Sequence, residues 1–127
     1  MANSTQYAKT VAASPSKIST TELHGRVRVA YADFTADAAQ ETINMFKLPD
    51  GARIIGGRLN HAALGSSTTV SVGHAAYTQA DGTVVALDVD EYKAAASSAS
   101  ATGSAIAATT ALGENSVVDA PDGLIVT

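Results

Sequence analysis

Three histidines, His24, His61 and His74, are the side chains best suited to hold a metal, and His61 and His74 flank what reads as one hairpin across which they could meet. The spacing does not carry the idea further. There is no His-x-His pair and no His-Glu-x-x-His helix, so packed or solvated strand histidines are expected instead. Asp88-Val89-Asp90-Glu91 offers carboxylates to calcium but lacks the glycine and the downstream bidentate glutamate of a calcium loop. Serine and threonine are abundant, but a hydroxyl nucleophile needs a base and an orienting group, and no Gly-x-Ser-x-Gly elbow supplies the setting. Asp33, Asp37 and Glu41 are too loosely spaced to read as a matched general acid and base. Gly56-Gly57 does not continue into a phosphate loop or a dinucleotide fingerprint, which leaves the pair a structural role. The expectation is a protein that is not an enzyme and that uses no metal and no cofactor.

Arg26, Arg28, Arg53 and Arg58 are the more informative charges, because arginines on strand faces can clamp carboxylates of an adjacent subunit through two parallel hydrogen bonds. A solvated face is the other reading of the same residues. Tyr7, Tyr31, Tyr77 and Tyr92 could anchor contacts, although Tyr31 shares its parity with Val27 and Val29 and is therefore expected in the core.

These side chains must be positioned by short strands. Residues 1–22, rich in Ser, Thr and Ala around Pro15, have no period and read as an extended arm, either loose or ordered on a neighbouring subunit. Residues 23–127 form the domain. From His24 to Phe34, Val27, Val29 and Tyr31 alternate with Arg26, Arg28, Ala30 and Ala32, the pattern of a half-buried strand. A polar connection over residues 36–40 leads to a second strand, from Ile43 to Leu48, expected to be buried on both sides. Pro49-Asp50-Gly51 then turns the chain into a third, from Ala52 to Ala63. It places Ile55, Leu59 and Ala63 on one face and Ile54 and Arg58 on the other, with a bulge at Gly56-Gly57. Leu64-Gly65-Ser66-Ser67 reads as the turn of a hairpin into Thr68–His74. Asp81-Gly82 and Asp122-Gly123 are turns before Thr83–Leu87 and Leu124–Val126. Asp88 to Ser98, with acids first, alanines next and Lys93 later, suits one short helix. Residues 99–110 read as a loop followed by a weak strand around Ile106.

Many short strands with turns at close intervals predict an all-β fold, an antiparallel β-sandwich of jelly-roll-like form with an extended N-terminal arm and one short helix. The last strand either pairs as a sheet edge or is completed by another subunit.

The totals agree with an associating structural protein. Of 127 residues 46% are hydrophobic, but 26 of these are alanine, and Val, Ile, Leu and Phe make up roughly a fifth of the chain, the border at which self-sufficient folding fails. A core so poor in large side chains buries limited area, so a partner surface is expected to add burial. Twelve acids against eight bases, with no basic block, disfavour nucleic acid. Cysteine is absent, so there is no disulfide frame or thiolate chemistry. No export signal and no membrane span is legible, and a soluble protein assembled in the cytoplasm is expected.

Leu48-Pro49-x-Gly51-Ala52-Arg53-Ile54-Ile55-Gly56-Gly57, followed by Ala63-Leu64-Gly65-x-Ser67-Thr68-Thr69-Val70-x-Val72-Gly73 and preceded by Arg26-Val27-Arg28-Val29-Ala30-Tyr31, resembles small virion proteins of tailed bacteriophages. Among those, the ones with a clearer role are capsid decoration, or cement, proteins. The resemblance covers about residues 25–75. It implies a β-sandwich subunit on the outside of the major capsid shell, a homo-oligomer with a trimer favoured over a dimer, which has the major capsid protein as its partner. The contacts expected from this reading involve Tyr7, Val11, Ile18, Arg26, Arg28, Arg53 and Arg58. A phage tail or fibre component, such as a carbohydrate-binding module, would use the same sandwich, but two Phe, four Tyr and no Trp supply few rings for stacking on sugars. A small hydrolase is the third class, and the missing nucleophile and base argue against it.

Overall fold

The computed structural model describes residues 26–35 and 42–127, and every regular element within them except one 3₁₀ turn at Thr110–Leu112 is a strand. In chain order these are β1 (Phe46–Leu48), β2 (Gly57–His61), β3 (Thr69–His74), β4 (Tyr77–Thr78), β5 (Val84–Val85), β6 (Asp88–Ser97), β7 (Thr102–Ile106) and β8 (Leu124–Val126). All pairings are antiparallel. The main sheet has the order β1-β8-β3-β6, β2 pairs with β7, and β4 with β5.

Turn chemistry sets the connections. Gly51 takes a positive φ, and the Ala52 amide closes the reversal on the Pro49 carbonyl at 3.2 Å. The Asp81 carboxylate accepts the Thr83 amide at 2.8 Å, joining β4 to β5, and Gly123 N–H closes on Ala120 O at 2.7 Å just before β8. Asp50 Oδ1 accepts the amide of the buried Ala120 at 2.9 Å, which fastens the first of these turns to the last.

The core is small. Its buried apolar members among the described residues are Val72, Tyr92, Ala107, Val118, Ala120, Leu124 and Val126, with Phe46, Leu48, Ile54, Leu59 and Ile106 packed against them. Two of those seven are alanines, so the apolar area that stabilises the fold is modest.

Six expectations are corrected. Asp88–Ser98 is not a helix: Asp88–Ser97 is the longest strand, because the Thr69–His74 main chain needs a ladder partner and the helical preference of the alanines, reinforced by no apolar stripe of that period, yields to it. Residues 26–35 are not a half-buried strand. They carry no regular structure, and Tyr31, expected in the core, is 80% exposed, since no second strand among the described residues covers the alternating face. The Leu64–Ser67 turn does not close a hairpin, for β2 and β3 lie in different sheets. Its ends are held instead by Ser98, whose carbonyl accepts the Leu64 amide at 2.9 Å and whose hydroxyl lies 2.8 Å from the Thr68 hydroxyl.

The faces of the 52–63 stretch are also reassigned. Ile54 packs on the core and Ile55 is exposed, while Leu59 packs on the core, because Gly56 at φ 128° reverses the parity between them. Finally, β8 is no edge. It lies between β1 and β3, with Met45 N–H donating to Val126 O and Gly73 and Thr127 exchanging both main-chain hydrogen bonds. The strand from Ile43 is shorter than expected and only half-buried.

Candidate partner-binding surface

Of the seven residues expected to make contacts, Tyr7, Val11 and Ile18 lie outside the described residues, as does the 1–22 arm. The structure separates the four arginines. Arg53 sits in the short bridge between Arg53 and Val117, and its Nη1 donates to Asn115 O at 2.8 Å, so it fastens the 52–54 segment to 115–118. Arg58 Nε donates to Asn60 Oδ1 at 2.9 Å, and its guanidinium lies across the main chain of Gly103 on the paired strand β7. Arg58 is nonetheless exposed, while Arg53 is half-buried. Arg26 and Arg28 are exposed on a segment whose apolar residues are exposed with them: Val27 is 76% and Val29 88% accessible. Tyr31 Oη donates to Asp33 Oδ1 at 2.6 Å, and the bond to that carboxylate holds the phenol's proton above its ordinary value.

A second exposed apolar strip was not anticipated. Val84 in β5 and Leu87 and Val89 are 72%, 52% and 45% accessible, and the last two alternate with Asp88 and Asp90 at the start of β6. The signal was present in the alternation Leu87-Asp88-Val89-Asp90, but the two acids were absorbed into a helix start. The Asp88 carboxylate accepts the Asp90 amide at 3.0 Å, which lowers its pKa, while a side-chain hydrogen bond with Asp88, and then its charge, raise that of Asp90.

His24 lies outside the described residues, and His61 and His74 belong to no metal-holding group of three among those described. His61 and His74 each place Nδ1 within 3.0 Å of the next residue's carbonyl, Ala62 O and Ala75 O, the geometry of satisfied strand histidines. Among the described residues no group of three His, Asp or Glu side chains could hold a metal ion. His74 stacks edge-on to Tyr77 at 5.2 Å and beside Tyr92 at 6.1 Å, and these rings line a cavity of about 80 Å³ with Glu91, Ser116 and Val118. That volume is of the order of a few waters. Burial pushes the Tyr92 phenol up to about 12. A hydroxyl, an imidazole and a carboxylate, from Ser116, His74 and Glu91, thus line one small cavity.

The feature that distinguishes the surface is therefore an exposed Arg-Val alternation and an exposed Val-Asp alternation on one small domain. No protein-family model, no curated protein and no solved structure matches this chain.

Proposed function

We propose that this chain is a bacteriophage capsid decoration protein, a jelly-roll-like β-sandwich subunit that binds the outside of the major capsid shell as a homo-oligomer, a trimer in preference to a dimer, and stabilises that shell. The observation that supports the reading is the Arg26–Tyr31 segment, which exposes two valines, a tyrosine and two arginines beside a core of mostly small side chains. Such a domain gains burial by seating that segment on a neighbouring subunit of an ordered layer. A protein that binds only the assembled shell shifts the assembly equilibrium by mass action, and many copies acting together hold against internal pressure without any turnover.

The test is sedimentation of the purified chain with assembled shells and, separately, with unassembled capsid subunits. The chain is expected to pellet with shells and to remain in solution with free subunits. Recovery in the supernatant in both cases overturns the proposal.

A further inference from the structure

We infer that Arg26–Tyr31 of one copy adds as an antiparallel strand to the Val85–Asp90 edge of a second copy of this chain. The inference names the neighbour that receives the exposed segment, and it stands whether or not the assembly coats a capsid.

The donor segment and the Ala86–Leu87 stretch of the acceptor both have unpaired main chain in the same molecule. Residues 26–31 make no main-chain ladder among the described residues, and their apolar side chains face solvent. On the acceptor side β6 is the terminal strand of its sheet, and the main-chain groups of Ala86 and Leu87, between β5 and β6, make no main-chain hydrogen bond among the described residues. An exposed apolar edge of this kind is a template for a further strand.

One alignment satisfies every side chain. With Arg28 opposite Asp88, Arg26 falls opposite Asp90, Val27 opposite Val89, Val29 opposite Leu87, Ala30 opposite Ala86 and Tyr31 opposite Val85. Apolar residues share one face and opposite charges the other, the pairing that stabilises neighbouring strands. A slip of one residue either way sets Arg28 against Val89 or Leu87 and a valine against Asp88. The parallel alignment that brings Arg26 to Asp88 and Arg28 to Asp90 puts Val29 against Glu91. Because Val85 already pairs with Tyr77, Asp88 with His74, and the Asp90 amide with Asp88 Oδ1, the new main-chain ladder is confined to Val29–Ala30 and Ala86–Leu87. Tyr31 on one side and Arg26, Val27 and Arg28 on the other continue it through side chains. Each copy carries one donor and one acceptor, so the exchange links copies head to tail, into a ring where the rotation closes and an open chain where it does not.

The chain contains no cysteine, which makes thiol pairing a clean reporter. Full-length Val29→Cys and Leu87→Cys chains, distinguished by tag size, are mixed and oxidised without shells. The mixed disulfide is expected to exceed both homodimers, and the mixed product of Val29→Cys with Ala86→Cys, by about fivefold or more, because only directly opposed Cβ atoms meet the distance a disulfide demands. A mixed product no more abundant than the homodimers overturns the inference. So does a Val29→Cys/Leu87→Cys chain that loses both thiols while remaining a monomer, since the segment then lies on its own edge. A second measurement uses charge: Arg28→Asp and Asp88→Arg chains are each expected to sediment as monomers and, when mixed, to assemble. Assembly of either alone as readily as the natural chain, or failure of the mixture, counts against the pairing.

Discussion

Replacing Gly73 by alanine tests the packing of the main sheet at its tightest point. Gly73 lies on β3, bonded through both main-chain groups to Thr127 on one side, while on the other the register jumps from Val72↔Lys93 to His74↔Asp88. The extra residues of β6 cross over it. A methyl group at Gly73 would lie 2.5 Å from the Val89 carbonyl carbon and closer still to the Asp88 carbonyl oxygen. Main chain cannot rotate aside as a side chain does, so the cost is expected at or above the upper end of overpacking, about 3 kcal/mol. For a domain of this size that corresponds to a fall in melting temperature of roughly 10 °C or more. Gly82→Ala is the control: Gly82 has φ 87° and open space around it, so alanine there carries only the left-handed backbone cost of about 1–2 kcal/mol. Thermal melts followed by circular dichroism compare the two. A Gly73→Ala chain that melts no lower than Gly82→Ala refutes the close approach of β6 to β3.

Three further outcomes are expected. Since the folded Tyr92 phenol is raised from 10.0 to about 12, stability is intact below pH about 10 and declines as pH climbs towards 12, by about 2–3 kcal/mol in all; Tyr92→Phe removes that decline, as urea midpoints across the window will read. Leu124→Ala, in the central strand β8 and almost fully buried, costs about 2–5 kcal/mol by urea denaturation, whereas Ile55→Ala on the exposed side of Gly56 changes the midpoint little. Asp50→Ala strands the buried Ala120 amide and costs about 1–3 kcal/mol in the same assay, with Asp50→Asn recovering part of it.

What the sequence made legible was local. Pro49-Asp50-Gly51, Asp81-Gly82 and Asp122-Gly123 were read as turns because each specifies a short-range backbone geometry, and each turns the chain where expected. The Thr68–His74 strand and the weak strand near Ile106 were legible in the same way, as β3 and β7. Errors arose where a distant partner decides. The alanines from Ala94 to Ala96 have a local preference for helix, and the facing strand β3 overrides it and makes them extended. Nothing within Leu64–Thr68 reveals that Ser98, thirty residues after Thr68, holds that loop. Arg53 looks like Arg26 in a string of letters, yet one is spent on the Asn115 carbonyl and the other is exposed. The acceptor strip at Val84, Leu87 and Val89 was hidden by the helical reading of the acids between its members.

The rupture temperature of heated virus particles, made with and without this chain and otherwise identical, bears on the central claim most directly. Decorated particles are expected to rupture at a clearly higher temperature, and undecorated ones to recover that temperature when the purified protein is added back. Equal rupture temperatures in all three samples contradict a cementing role.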